Sequence, residues 1–193
     1  MAEQRSRTGV GLLIVDMINS LDFDGAERLI PKLDSVISTI LKLRAQADAL
    51  GVPVVYVNDN YGHWQSEKSE LIRMCARKPE ARAVIERITP RDRDYFLLKP
   101  RLSGFYATNL PVLLPVLRVS RLVLTGVAAD VCVLFTAADA HMREYAIWTP
   151  HDATASEADE RTDWALEIMR KSMSVETRST AELSLRDWAC HGG

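Results

Sequence analysis

The sequence has no surplus of charge of either sign: 24 Lys and Arg stand against 26 Asp and Glu, a formal net charge of -2 over 193 residues. Basic and acidic residues are interleaved, so no stripe is available to track a phosphate backbone, and nucleic acid is not an expected partner. No apolar run reaches the roughly 18 residues that a membrane-spanning helix requires. The stretch from Met1 to Thr8 is polar and carries no signal-peptide core. A cytoplasmic location with no membrane partner is the resulting expectation. Cysteine is scarce: Cys75, Cys132 and Cys190 lie far apart with no CxxC pair, which argues against a disulfide framework or a zinc knuckle. A cysteine that matters here matters as a thiol. There is no internal repeat and no low-complexity tract. A glycine-rich GxGxxG after the first strand candidate is also missing, since that run leads into Asp16-Met17-Ile18-Asn19. The signature of a dinucleotide-binding domain is thereby absent.

What is present is a chain 47% apolar and 26% charged, which reads as one globular domain over residues 1–193 with a sizeable core. Short β-branched runs alternate with segments of helical spacing. That alternation predicts an α/β fold of three αβα layers, with a six-stranded, mostly parallel sheet in the middle. The strand candidates are Val10–Val15, Val52–Val57, Asp94–Leu98, Arg121–Thr125, Ala146–Trp148 and Met173–Val175. The unbroken hydrophobicity of the first, second and fourth fits strands buried on both faces. Leu29, Leu33, Val36, Ile37, Ile40, Leu41 and Leu43 form a helical stripe within 25–50, which Gly51 and Pro53 end. Further helices are expected at about 66–77, 110–119, 130–143, 158–172 and 180–189.

In an open parallel sheet, ligands bind beyond the carboxyl ends of the strands, where strand order reverses. Four strand ends carry polar or reactive groups: Asp16, Asn58, Lys99 and the segment 126–132. Taken singly, each has a plain structural explanation. Asp16 suits a cap or turn, Lys99 a strand-end lysine reaching solvent, and Cys132 a small packed hydrophobe. Together they supply a thiol at a helix start, a cation and a carboxylate. The positive end of the macrodipole favours thiolate at Cys132. Asp16 then serves as general base and acid, and Lys99 as the electrostatic partner. None of His63, His141, His151 and His191 sits at these ends, so no histidine is needed.

Three segments, 12–17 (LLIVDM), 98–106 (LKPRLSGFY) and 126–133 (GVAADVCV), resemble the signature blocks of the isochorismatase-like cysteine hydrolases. That superfamily includes nicotinamidases, N-carbamoylsarcosine amidohydrolases, ureidoacrylate amidohydrolases and isochorismatases. The resemblance implies a Rossmann-like fold and a triad of Asp16, Lys99 and Cys132. It also implies a non-proline cis peptide between Val127 and Ala128, and an oxyanion hole made by the N–H groups of Ala128 and Cys132. Dimers or tetramers are implied as well. The nicotinamidases place an Asp-x-His pair after the second strand to bind a divalent metal. Asn58 and Asn60 stand in those places here, and amides are poor ligands for zinc or iron. No metal and no cofactor are therefore expected, with Asp59 and His63 the one weak alternative pair. Cys132 argues against a true isochorismatase, which cleaves a vinyl ether without a cysteine.

The reading is a metal-independent hydrolase of a small amide, ureido or carbamoyl C–N bond, acting on a small-molecule substrate. Phe23, Asn60, Trp64 and Tyr106, in loops near the strand ends, are the substrate-binding candidates. A non-catalytic binding or scaffold protein that keeps the fold is the alternative.

Overall fold

Strand-forming runs gather into one sheet whose register decides what can meet at its edge. The computed structural model describes residues 8–64 and 67–190. Its strands are β1 (Val10–Val15), β2 (Val54–Asp59), β3 (Tyr95–Lys99), β4 (Arg121–Val127), β5 (Ala146–Trp148) and β6 (Thr154–Ala155). The order is β3-β2-β1-β4-β5, with β6 also on β4, and each of these pairings is parallel. The chain builds outward from β1 to β3 and then returns to the other side of β1 with β4. The reversal point therefore lies between β1 and β4, where two neighbouring strand ends diverge into different connections.

The central strands β1, β2 and β4 are buried almost throughout. Side-chain alternation divides β1 between two cores: Val10, Leu12 and Ile14 face one layer, Leu13 and Val15 the other. The first layer contains α1 (Ala26–Leu50), α2 (Lys68–Cys75), α3 (Pro79–Ile88) and α7 (Leu185–Cys190). The second contains α4 (Leu110–Val116), α5 (Leu134–His141) and α6 (Asp159–Met173). The stripe expected on α1 is buried except for Leu41, which is partly exposed, and Gly51, at φ 68, ends the helix by donating to the carbonyls of Ala47 and Asp48.

Several boundaries differ from the sequence expectation, each for a local reason. β2 starts and ends two residues later than expected, so Asn58 and Asp59 lie within the ladder opposite Leu98 and Lys99. β3 begins after Asp94, whose carboxylate is taken by the backbone N–H and guanidinium of Arg91. The expected strand Met173–Val175 does not form. Met173 closes α6, Ser174 turns at φ 54, and one bridge between Trp148 and Glu176 is what remains of that pairing. The sixth strand is instead Thr154–Ala155, two residues long, paired with Gly126 and Val127. Helix α3 was not expected: Pro79 starts it rather than breaking the chain, and Ala81, Ile85 and Ile88 form its buried stripe. The helix expected at 180–189 shrinks to Leu185–Cys190, because Ser179 and Thr180 are held in turns by Glu182 and Asp152. Ser66, within the expected start of α2, lies outside the described residues.

Candidate active site

β1 delivers Asp16 immediately after its last residue, at φ 50. Asp is one of the few residues that tolerate this left-handed turn. Its amide donates to Val57 O at 3.0 Å, extending the β1–β2 pairing by one bond. Lys99 is the last residue of β3, two strands away, and its side chain is 0% exposed. Its stem crosses the end of β2, and Nζ lies 2.9 Å from Asp16 Oδ2.

The third group arrives on β4. Gly126 takes φ 108, and a Cβ there would stand 2.0 Å from Val15 O, so only glycine lets β4 pass so close to the end of β1. The Val127–Ala128 peptide is cis. The chain then enters a π-helical turn, Ala129–Val133, which continues into α5. Cys132, partly buried, lies in that turn, and its Sγ accepts from Lys99 Nζ at 3.3 Å. Asp130 anchors the turn from outside: its carboxylate accepts from Ser156 Oγ at 2.5 Å and from Arg161 Nε at 2.5 Å. Thr154 Oγ1 donates to Gly126 O at 2.7 Å.

Burial dominates the electrostatics. It raises Asp16 above the usual carboxylate range, against the charge of Lys99 and the hydrogen bonds from Cys132, Lys99 and the Asp59 amide. Burial also pushes the Cys132 thiol up to about 12, helped by the negative charge of Asp16 and opposed by Lys99. For Lys99, burial disfavours the charge, but Asp16, Cys132 and Asp59 outweigh it and raise the ammonium to about 12. Burial therefore disfavours the charged forms of both Asp16 and Cys132, and the Lys99 ammonium between them offsets it. For Cys132, desolvation and the neighbouring Asp16 act against the thiolate that the turn's dipole and Lys99 favour. A buried ion pair of this kind adds little net stability.

The other candidates divide. Asn60 is buried, but its Oδ1 accepts from Gly62 N at 3.0 Å and its backbone N–H donates to Lys99 O at 3.0 Å, so it shapes the turn beneath the cluster. Phe23, Trp64 and Tyr106 are exposed large side chains on loops. Phe23 lines a hollow with Leu21, Ile30 and Lys78. A neighbouring cavity, walled by Ser20, Tyr61, His63, Cys75 and Arg77, joins the loops after β1 and β2. Ala128 is extended, with its carbonyl accepting from Val131 and Val133.

Two residues carry contacts that sequence reasoning did not assign. Asn58, fully buried, pins the loop after β1 by accepting from Ile18 N at 3.0 Å and donating to Ile18 O at 2.9 Å. Asp59, considered only as a metal ligand with His63, points elsewhere. Its Oδ2 lies 3.4 Å from Lys99 Nζ, its Oδ1 accepts from Tyr61 N at 2.6 Å, and its own amide donates to Asp16 Oδ1 at 2.6 Å. His63 is exposed. Among the described residues, no three His, Cys, Asp or Glu side chains come together as a metal site. The signal for Asp59 was its register opposite Lys99, which is a non-local fact.

A three-layer αβα protein with a cysteine, a lysine and an aspartate meeting at the reversal point of its parallel sheet is the class that fold and site define. The chain belongs to the isochorismatase domain family, whose model matches residues 10–182. It is 40% identical over 178 residues to the uncharacterized isochorismatase family protein YaaI of Bacillus subtilis, covering 92% of this chain and 98% of that one. It is 32% identical over 162 residues to the ureidoacrylate amidohydrolase RutB of Methylorubrum extorquens, covering 69% of this chain and 64% of that one. Among solved structures it resembles the N-carbamoylsarcosine amidase of Thermoplasma acidophilum, with a TM-score of 0.69 and 28% identity over 91% of this chain and 98% of that one. An isochorismatase family protein from Desulfovibrio vulgaris gives a TM-score of 0.75 and 26% identity, covering 95% and 99% of the two chains.

Proposed function

We propose that this protein is a cysteine hydrolase that cleaves a small amide, ureido or carbamoyl C–N bond through a covalent intermediate on Cys132. The observation that carries this reading is the position of Lys99 Nζ, 2.9 Å from Asp16 and 3.3 Å from Cys132 in a buried cluster. The similarity to an ureidoacrylate amidohydrolase and an N-carbamoylsarcosine amidase supports the bond type.

Burial and Asp16 push the Cys132 thiol up, so its activation is written as a step of the reaction. Asp16 takes the proton from Cys132 Sγ as the sulfur attacks the carbonyl carbon, and the carbonyl π electrons move to oxygen. The oxyanion is received by the N–H groups of Ala128 and Cys132 at the start of the turn. On collapse, the C–N bond breaks and Asp16 returns the proton to the departing nitrogen, leaving a thioester. Water then attacks the thioester and loses its proton to Asp16. The C–S bond breaks, the acid or carbamate leaves, and the proton goes back to sulfur. Lys99 keeps its charge throughout, stabilising whichever neighbour is negative. We read the chemistry as metal-independent, because the donors after β2 are already committed: Asn58 to Ile18, Asn60 to Gly62, and Asp59 to Lys99 and Tyr61.

The test is ammonia release from a panel of ureido, carbamoyl and simple amide compounds. Wild type is expected to hydrolyse at least one, and Cys132→Ala to lose about 10³-fold or more in kcat. Unchanged turnover in Cys132→Ala overturns the nucleophile. A wild type inactive across the whole panel favours the scaffold alternative.

A further inference from the structure

Lys99 is fully buried and has three polar neighbours, one from each packed element: Asp16 at the end of β1, Asp59 in β2 and Cys132 in the turn after β4. Their charges do not persist equally through the reaction proposed above, on which this inference rests. When Cys132 attacks, Asp16 has taken the proton and is neutral, and the sulfur has become a neutral thioether. The ammonium then has one charged side-chain neighbour left, Asp59. A buried lysine with no counter-charge gives up its proton readily; documented cases titrate at roughly 5 to 6. Loss of that proton would remove the cation just when the oxyanion is forming.

We propose that Asp59 is a positioning residue that keeps the Lys99 ammonium charged and in place while Asp16 is protonated. Its carboxylate suits this task. It is 28% exposed, against 7% for Asp16, so water lowers the cost of its own charge. One oxygen is fixed by Tyr61 N–H and the other faces Lys99, which orients the group without a proton to exchange. The nearby Tyr61 phenol is held neutral by burial, is raised further by the charges of Asp16, Cys75 and Asp59, and donates to Ile18 O, so it does not compete for the role. The Asp59 backbone N–H also holds Asp16 Oδ1 at 2.6 Å, so both ends of the Asp16–Lys99 pair are referenced to one residue.

The test requires no substrate. Asp16→Asn imitates the neutral carboxyl of the intermediate, and the Lys99 side chain is followed by its 13Cε NMR shift against pH, assigned by its absence in Lys99→Met. With Asp16→Asn alone, Lys99 is expected to remain charged through pH 9. In Asp16→Asn with Asp59→Asn, its pKa is expected to fall by about 2 units or more. The same pKa in the two proteins overturns the proposal. Should the double variant fail to fold, Asp59→Asn alone carries the test in turnover. There kcat falls about 10- to 100-fold with KM little changed, an alkaline limb enters the measurable range, and Asp59→Glu recovers part of the loss. A KM effect with kcat unchanged overturns the proposal by making Asp59 a substrate contact. Failure of the wild type on the amide panel would sink the hydrolase reading while leaving the NMR comparison to judge Asp59.

Discussion

Asp16 is subject to two opposing demands. The proposed reaction needs a carboxylate that accepts a proton from a thiol, yet burial of Asp16 favours the carboxylic acid. Lys99 at 2.9 Å and the Asp59 amide at 2.6 Å keep the ionised form within reach, although the pKa stays above the ordinary 3.8. The sign of the pH effect follows. Asp16 works as a base only when ionised, so kcat/KM is expected to fall on the acid side with an apparent pKa above 3.8, a value belonging to the coupled cluster. Asp16→Asn should abolish turnover at every pH, and an acid limb at or below 3.8 would contradict the assignment. The same shift means that Asp16 by itself favours folding below its unfolded value and loses that contribution as pH rises through its folded value. At this scale, Asp16, Lys99 and Cys132 were legible because each follows a hydrophobic run that announces a strand. Asp59 was not, since its partner is fixed by register across β2 and β3, and β2 runs two residues beyond the apolar run that marked it.

Elements position the cluster through a few close approaches. The passage of β4 past β1 depends on Gly126, where φ 108 and a 2.0 Å approach to Val15 O leave no room for a side chain. Gly126→Ala is expected to cost about 2–4 kcal/mol in denaturant unfolding and to lower turnover per folded molecule, because it displaces the turn that carries Cys132. A variant of wild-type stability would show that β1 and β4 can separate without penalty. Long elements with clear periodicity, α1 above all, were readable from the sequence. Short ones were not. Thr154–Ala155 is too brief to carry a pattern, and α3 was hidden because a proline at a helix start looks like a proline that breaks one. The 173–175 run was apolar enough for a strand, but a left-handed Ser174 ends α6 there.

For the molecule as a whole, the two ends of the sheet differ: one carries the proposed site and the other is structural. The cluster occupies the carboxyl ends of β1, β3 and β4, whereas the amino end of β4 is closed by α7. There the Arg121 guanidinium lies 4.1 Å from the Trp188 ring centroid, and Trp188 stands 6.1 Å from Trp148. Trp188→Ala should therefore destabilise the protein by about 3–5 kcal/mol, while kcat per folded molecule changes little. A parallel loss of kcat under conditions where the variant is fully folded would mean that the two ends are coupled. Fold class and layer order were legible from the alternation of strand and helix. The strand order was not, because it depends on which side of β1 the returning chain chooses.

The anchoring of Lys99 and Cys132 has a consequence for descent. Lys99 is held inside a ladder, and Cys132 in a turn buttressed by Thr154, Ser156 and Arg161. The rim loops that carry Phe23, Trp64 and Tyr106 lie outside both supports. Insertions and replacements in such a rim leave the reacting atoms where they are. On the proposed function, a lineage with this plan can change its diet by rewriting the rim while inheriting its chemistry intact.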